Sequence, residues 1–231
     1  MSDHPIIFSA PMVRALLDGR KTMTRRLAWR PAKTMMIECE HGFDTCPTCD
    51  AAKPSPWQRV KPGDRLWVRE TLVPSSCGFE YAAPGDDDNI DLSDLTDDQV
   101  DFWNRRAGDD PDNSPKVSPI YMPRWASRLT LVITATKIER LHDINVSDAL
   151  AEGIFKWPKR SIAGEPLWHF IPPATKIEDI HLGCTSPVNA FAWLWQSIHS
   201  KESWDANHEV VALAFTIHQQ NIDVMPKAAA A

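Results

Sequence analysis

Three cysteines and one histidine lie close together early in the chain, a set of side chains that could bind a metal ion. They are Cys39, His41, Cys46 and Cys49, all within 11 residues. The spacing Cys46-x2-Cys49 lets two thiolates reach one tetrahedral metal, and Cys39 or His41 could complete the ligand set. The alternative is four reduced, unrelated side chains in a loop. The pattern predicts a structural zinc site.

A second cluster is cationic. Between residues 14 and 33 the chain has seven basic side chains against one acid, Asp18. The basic residues are Arg14, Arg20, Lys21, Arg25, Arg26, Arg30 and Lys33. Such a stretch is typical of a phosphate-binding surface, although a solvated basic face is the simpler interpretation. Trp29 and Trp125 adjoin basic residues, and either indole could stack on an unpaired base.

The overall composition is compatible with nucleic-acid binding in spite of an acidic total. The 231 residues have a formal net charge of −6, but residues 80–112 alone hold 12 acids and two basic residues, so the rest is positive. A chain that is 43% hydrophobic and 24% charged is ordinary for a globular protein. No apolar run approaches the ~20 residues that cross a bilayer, and the N-terminus lacks a secretory signal. We therefore expect a cytoplasmic protein with reduced cysteines and no membrane partner.

The elements that must position these residues are short. Periodicity predicts strands at residues 6–8, 66–70, 129–136 and 208–217, and helices at 93–103, 148–151 and 188–199. A further helix starts at the N-cap Ser9, with Pro11 in its first turn, and ends at Gly19. Large insertions are predicted at about 34–58 (cysteine-containing), 78–118 (acidic) and 154–188 (proline-rich), with a tail at 218–231. This order indicates one α+β domain over 1–217, a small mixed barrel with flanking helices.

Four groups of residues, in the family order, resemble the signatures of ASCH (activating signal cointegrator homology) domains. They are residues 19–26, similar to G-x-K-T-x-T-x-R; residues 62–70, a P-G-D turn entering a strand; residues 148–153, an A-x-x-E-G helix end; and residues 122–128 with 203–207, which resemble the subset carried by bacteriophages and prophages. Together they span most of the chain. The resemblance implies a PUA-like β-barrel that binds RNA or a modified nucleoside in a cleft.

Some small bacterial ASCH proteins are amidohydrolases that remove the acetyl group from N4-acetylcytidine without a cofactor. The resemblance assigns Lys21 as proton acceptor, Thr24 as nucleophile and Glu152 as proton donor. A lysine accepts a proton only when neutral, which requires a pKa lowered by burial or by neighbouring cations. The residues predicted to bind the nucleic acid or substrate are Arg20, Thr22, Arg25, Arg26, Trp29, Arg69, Glu70, Arg124 and Trp125.

The same residues are compatible with two other functions. Lys21 and Arg25 could hold phosphate without chemistry, while Glu152 closes a helix or pairs with Lys21. The protein would then be a non-catalytic RNA-binding module of phage or prophage origin. In a ribonuclease, by contrast, Lys21 and Glu152 would act on a 2′-hydroxyl.

Overall fold

The computed structural model describes residues 2–30, 53–83, 85, 89–159, 167–173 and 184–226. Strands in these ranges run over Asp3–Ile7 (β1), Met23–Leu27 (β2), Trp29–Arg30 (β3), Lys53–Pro54 (β4), Arg65–Arg69 (β5), Leu72–Ser75 (β6), Gly78–Tyr81 (β7), Ile90–Asp91 (β8), Thr130–Arg140 (β9), Phe155–Lys159 (β10), Leu167–Ile171 (β11) and Glu209–His218 (β12). The α-helices run over Ala10–Leu17 (α1), Asp97–Ala107 (α2), Val146–Ala151 (α3), Pro187–His199 (α4) and Lys201–Asp205 (α5).

A five-stranded mixed sheet forms the centre of the molecule, in the order β1-β5-β9-β12-β2. Strand β1 runs parallel to β5, and the other neighbours are antiparallel. The predicted α+β class is therefore confirmed. The order ends at β1 on one side and β2 on the other, so the pairing of the described strands is that of an open sheet, and the predicted barrel closure is not confirmed.

The two longest strands, β9 and β12, form the middle of this sheet. Their register shifts between Ala214 and Phe215, which marks a β-bulge. A bulge frees a backbone group from the ladder and re-aims the chain. Here the N–H of Phe215 donates to the carbonyl of Thr22 at 3.0 Å. The bulge therefore fixes the segment that leads into β2, where the cationic cluster lies.

Helix α1 packs its apolar face on the sheet and has the limits that the sequence predicts. Ser9 is its N-cap residue and Pro11 lies in its first turn. Gly19 follows the helix with a φ of +69°, a left-handed conformation that favours glycine. Its buried residues, Met12, Val13, Ala15 and Leu16, join the main core with residues of α4 and of the central strands.

The acidic insertion is more ordered than the sequence analysis expects. Strands β6, β7 and β8 form a second sheet, and Phe79 and Met122 belong to a small separate core beneath it. The helix predicted from Ser93 starts later, because the N-cap of α2 is Thr96, which forms a capping box with Gln99. Ser93 instead donates its backbone N–H to Asp91 in a preceding turn.

The proline-rich insertion and the C-terminal segment also contain ordered residues. Strands β10 and β11 pair as an antiparallel hairpin. Beyond β12, Ile222 is fully buried, and Arg65 donates to its carbonyl at 3.1 Å and to that of Met225 at 2.9 Å. Part of the segment predicted to be a tail, residues 218–231, is therefore ordered and covers the buried guanidinium of Arg65. Of the helices in the described ranges, none combines the length and the apolar character that crossing a membrane requires.

Candidate active site

Lys21 lies where the chain leaves α1 and approaches β2. The backbone N–H groups of Arg20 and Lys21 both donate to the carbonyl of Ala15 at 2.9 Å, which completes the end of the helix. Lys21 then forms an isolated antiparallel bridge with Glu152, and Thr22 N–H donates to Ala151 at 2.8 Å. These backbone contacts join the end of α1 to the end of α3 and turn the lysine side chain inward.

The side chains of Lys21 and Glu152 form a buried ion pair. Lys21 Nζ lies 2.7 Å from Glu152 Oε2 and 3.0 Å from the Glu152 carbonyl oxygen. Their side chains are 0% and 3% exposed. Burial holds the pKa of Lys21 below its usual value of 10.5, and the charges of Arg26 and Arg25 lower it further, while Glu152 opposes the shift. The lysine therefore releases its proton more easily than a solvated lysine does.

Arg25 connects this pair to two further carboxylates. Its Nη2 lies 2.7 Å from Glu139 Oε1 and 2.6 Å from Asp148 Oδ2, and its Nη1 lies 3.3 Å from Glu152 Oε1. The side chain of Arg25 is 0% exposed. Because Oε1 of Glu152 accepts from Arg25, its Oε2 is oriented towards Lys21. Arg25 is thus a positioning residue for the ion pair.

Glu139 is buried, and it connects this network to an exposed lysine. Its Oε2 pairs with the exposed Lys137 at 2.6 Å, while Oε1 accepts from Arg25. Burial by itself raises the pKa of Glu139, but the hydrogen bonds from Lys137 and Arg25 outweigh it and hold that pKa below its usual value. Glu139 therefore stays ionised to lower pH than a free glutamate.

Thr24 and Arg26 lie on β2, and their side chains are joined by a hydrogen bond. Thr24 is 1% exposed, and its Oγ1 accepts from Arg26 Nη1 at 2.8 Å. The hydroxyl proton of Thr24 is thus directed away from the guanidinium. Arg26 itself is half-buried, and its guanidinium lies 5.0 Å from the ring centroid of Phe8. The arrangement holds a hydroxyl group beside a fixed cation.

These groups line one open cavity of about 340 Å³. Lys21, Thr24 and Glu152 all contribute to its wall, together with Arg25 and Arg26. Its apolar side is formed by residues of β1, α1 and α4 and by Phe8, which lies between β1 and α1; the aromatic members are Phe8, Phe191 and Trp195. Ligand pockets for small molecules have volumes of about 300–1,000 Å³, so the cavity is large enough for a nucleoside.

Three other predicted binding residues lie near this cavity without lining it. Arg20 pairs with Asp18 at 2.7 Å and donates to the carbonyl of Gly153 at 3.2 Å. Thr22 is exposed and takes part through its backbone. Trp29 is 41% exposed and lines a second cavity, described below.

Arg69 and Glu70 are predicted to bind substrate, but the structure places both outside the cavity lining. Arg69 lies over the ring of Trp67 at 5.3 Å and donates to the carbonyl of Ile120. Glu70 is 1% exposed and its carboxylate accepts from Arg128 at 3.0 Å through both oxygens. The P-G-D signature thus supplies a buried ion pair rather than a cavity wall.

Arg124 and Trp125 are also remote from the cavity. Arg124 pairs with Asp3 and with Asp223, each at 2.7 Å. The indole of Trp125 meets Phe102 edge-on at 6.0 Å and packs on the core of the acidic insertion. These two residues tie the insertion and the C-terminal segment to β1.

The predicted zinc ligands Cys39, His41, Cys46 and Cys49 lie outside the described residues. Within the described ranges, no three histidine, cysteine, aspartate or glutamate side chains are grouped so that they could hold a metal ion. The zinc site stays a prediction.

Three residues of this site are not among those predicted from the sequence. Glu139 and Asp148 reach Arg25 from β9 and α3, and no spacing signal links them to it. His199 lines the cavity at the end of α4, and burial together with the charge of Arg26 lowers its pKa. The helical period of 188–199 could have placed His199 beside Trp195, one turn earlier on the same face.

Replacing Gly153 by alanine is expected to disturb the ion pair directly. Gly153 has a φ of +96°, and an added Cβ would lie 3.2 Å from Lys21 Cβ and 3.2 Å from Pro173 Cγ. We expect Gly153→Ala to lower the free energy of unfolding by about 2–4 kcal/mol, measured by urea denaturation.

Gly19→Ala is the matched control for backbone strain. Gly19 has a φ of +69°, but nothing lies within 4 Å of an added Cβ. Its expected cost is about 1 kcal/mol, from the left-handed backbone alone. Equal losses in the two variants would show that crowding against Lys21 contributes nothing.

Comparisons with protein-family models, with the curated proteins and with the solved structures give no match. The resemblance to ASCH domains therefore remains a prediction based on the four sequence motifs.

Proposed function

We propose that the protein hydrolyses the N-acyl group of a pyrimidine nucleoside such as N4-acetylcytidine. One observation carries the proposal: the buried pair of Lys21 and Glu152, 2.7 Å apart, lines the same cavity as the hydroxyl of Thr24. An acid, a base and a nucleophile in one pocket are the groups that amide hydrolysis needs.

The ion pair supplies both the acid and the base. Moving one proton from Lys21 Nζ to Glu152 Oε2 gives a neutral amine and a neutral carboxylic acid. Burial favours this neutral form, because it disfavours charge on Lys21. In this form, Lys21 can accept the proton of Thr24, and Glu152 can donate a proton to the leaving nitrogen.

Acyl transfer then proceeds in two balanced steps. Thr24 Oγ1 attacks the acyl carbon, its proton passes to Lys21, and the C–N bond breaks as Glu152 protonates the exocyclic nitrogen. Water next attacks the acyl-threonine ester and gives one proton to Glu152, while Lys21 returns a proton to Thr24 Oγ1. The products are the nucleoside and a carboxylic acid, and no cofactor is needed. The positive charge of Arg26, whose Nη1 lies 2.8 Å from Thr24 Oγ1, stabilises the oxyanion that forms beside Thr24.

The motif resemblance supports the same proposal. Lys21 and Thr24 belong to the stretch similar to G-x-K-T-x-T, and Glu152 belongs to the A-x-x-E-G helix end. We also propose that the chain is an ASCH domain with a PUA-like barrel and that it is located in the cytoplasm. The flat apolar wall formed by Phe8, Phe191 and Trp195 favours a ring-shaped substrate over an extended peptide.

The direct test is the conversion of N4-acetylcytidine to cytidine, followed by chromatography. We expect Thr24→Val to lower kcat/KM by about 10³-fold or more, because the near-isosteric valine lacks the nucleophile. Thr24→Ser is expected to keep measurable turnover. The control, Thr216→Val, changes an exposed threonine of β12 that lines no described cavity. Full turnover in Thr24→Val would contradict the assigned nucleophile.

A binding module is the second candidate, and one observation favours it. Lys21 and Glu152 neutralise each other, whereas Arg26 has no carboxylate partner among the described residues and could hold a phosphate without chemistry. No turnover by the wild type, together with salt-sensitive RNA binding, would support this function. Cleavage of a plain RNA oligonucleotide that is lost in Lys21→Ala would instead indicate a ribonuclease.

A further inference from the structure

A second cavity of about 450 Å³ adjoins the first. The two share Arg26 and His199 as lining residues. Trp29 of β3 and Trp57, in the turn after β4, supply aromatic surface on its wall. Its lining is mainly flat and apolar, with a few polar groups, which is the usual composition of a site that binds a planar ligand.

Two polar atoms in the lining make no hydrogen bond with the described residues. Ser55 is 4% exposed, its backbone N–H donates to the Ala28 carbonyl at 2.8 Å, and its Oγ makes no hydrogen bond among the described residues. His4 Nε2 is also shielded and makes no hydrogen bond within the described ranges, because Asp64 Oδ2 lies 3.9 Å from it, beyond hydrogen-bond distance. Buried polar atoms without partners cost free energy, and a bound ligand with its own donors and acceptors would remove that cost.

Arg26 separates the two cavities. Its guanidinium lies 5.0 Å from the ring centroid of Phe8, in the first cavity, and 5.9 Å from a ring centroid of Trp57, in the second. Its three hydrogen bonds go to Thr24 Oγ1 and to the carbonyls of Arg25 and Ile7. An arginine has five N–H donors, so two remain for a ligand. Because no carboxylate pairs with Arg26 in the described part of the chain, its charge is available to an anion.

We propose that the second cavity binds the base of a neighbouring nucleotide and that Arg26 binds the phosphate that links the two nucleotides. The proposal rests on the proposed function for the identity of the first base. An aromatic wall for stacking, polar atoms for the base edge and a cation between two ring-sized cavities together match a dinucleotide. The natural substrate is then an acylated cytidine within an RNA chain, rather than a free nucleoside.

The experiment compares N4-acetylcytidine with two dinucleotides that carry it, one with adenosine on the 5′ side and one with adenosine on the 3′ side. We expect at least one dinucleotide to have a kcat/KM about tenfold higher than the nucleoside, from stacking and the phosphate contact. The measured quantity, for each dinucleotide, is its kcat/KM divided by the kcat/KM of the free nucleoside. Any general loss of activity in a variant cancels in this ratio.

Trp29→Ala and Ser55→Ala are both expected to reduce the ratio towards one. The control is Trp193→Ala on α4, because Trp193 is exposed to a similar extent, 37% against 41% for Trp29, and lines neither cavity. Its ratio is expected to match that of the wild type. Circular dichroism melting curves check that each variant is folded.

Calorimetric binding of unmodified cytidine and of the corresponding unmodified dinucleotides separates the two proposals. Tighter dinucleotide binding that depends on Trp29, without turnover of any acylated substrate, supports the second site and rejects the hydrolase. Turnover of the nucleoside with a ratio near one for both dinucleotides overturns the second site and leaves the hydrolase. Equal ratios in Trp29→Ala and Trp193→Ala also overturn it, as does the absence of both turnover and dinucleotide binding.

Discussion

Replacing Lys21 by methionine is expected to lower kcat/KM for N4-acetylcytidine by about 10²–10⁴-fold, the usual effect of removing a general base. The variant also leaves the buried carboxylate of Glu152 without its closest cation. We therefore expect it to lose about 3–5 kcal/mol of unfolding free energy, which urea denaturation measures.

A double variant separates the loss of chemistry from the loss of stability. Lys21→Met/Glu152→Gln removes both charges of the pair, so it is expected to be more stable than Lys21→Met and just as inactive. Lys201→Met is the control, because Lys201 forms a surface pair with Asp205 and its side chain is 72% exposed. It is expected to retain full activity. Recovery of activity in the double variant would rule out Lys21 as the base.

The pH profile of the wild type gives an independent check on the same pair. The active form holds one proton between Lys21 and Glu152, so kcat/KM falls at high pH, where Lys21 loses this proton. Because burial lowers the pKa of Lys21, the high-pH limb should lie below the ordinary lysine value of 10.5. A rate that keeps rising through pH 10.5 would contradict the assignment.

Replacing Arg25 by methionine is expected to reduce stability as much as replacing Lys21. Arg25 is 2% exposed and pairs with Glu139, Asp148 and Glu152. Its removal leaves three partly or fully buried carboxylates facing one another, and the expected loss is about 3–5 kcal/mol of unfolding free energy. The control Arg14→Met, on the exposed face of α1, is expected to stay within about 0.5 kcal/mol of the wild type.

The difference in unfolding free energy between the wild type and Arg25→Met should become smaller as the pH falls. The folded-state pKa of Glu139 is lowered from 4.5, partly by Arg25. A lowered carboxyl pKa contributes stability above pH 4.5, and this contribution disappears as the pH falls through the folded-state pKa. The gap between wild type and Arg25→Met should therefore narrow below pH 4.5. A gap that is constant from pH 7 to pH 3 would mean that packing, and not charge, causes the loss.

Local signals in the sequence predict much of the fold. Helix α1 agrees with its capping residues, because Ser9, Pro11 and Gly19 act through neighbours within a turn or two. The strand predicted at 129–136 and the helix at 188–199 are confirmed by β9 and α4 for the same reason. The start of α2 was predicted wrongly, because Ser and Thr are both good caps and only the capping box with Gln99 selects Thr96.

The candidate site depends on contacts that local signals do not contain. Arg25 was predicted to bind substrate from its charge, but its donors are occupied by carboxylates that come from residues 139, 148 and 152. Those partners depend on how β2, β9 and α3 meet in space. The motif resemblance predicts catalytic roles for Lys21 and Glu152. Their burial and the positioning role of Arg25 depend on the packing and could not be predicted from the motifs.

The charge balance of the network around Arg25 also affects the long-range electrostatic attraction of a ligand to the cavity. Its three cations, Lys21, Arg25 and Lys137, are balanced by three carboxylates, those of Glu139, Asp148 and Glu152. This balanced group produces little long-range attraction of its own, so electrostatic steering of a ligand towards the cavity depends on Arg26, which lines the cavity and has no carboxylate partner among the described residues. Discrimination among ligands then falls to shape and short-range contacts inside the cavity.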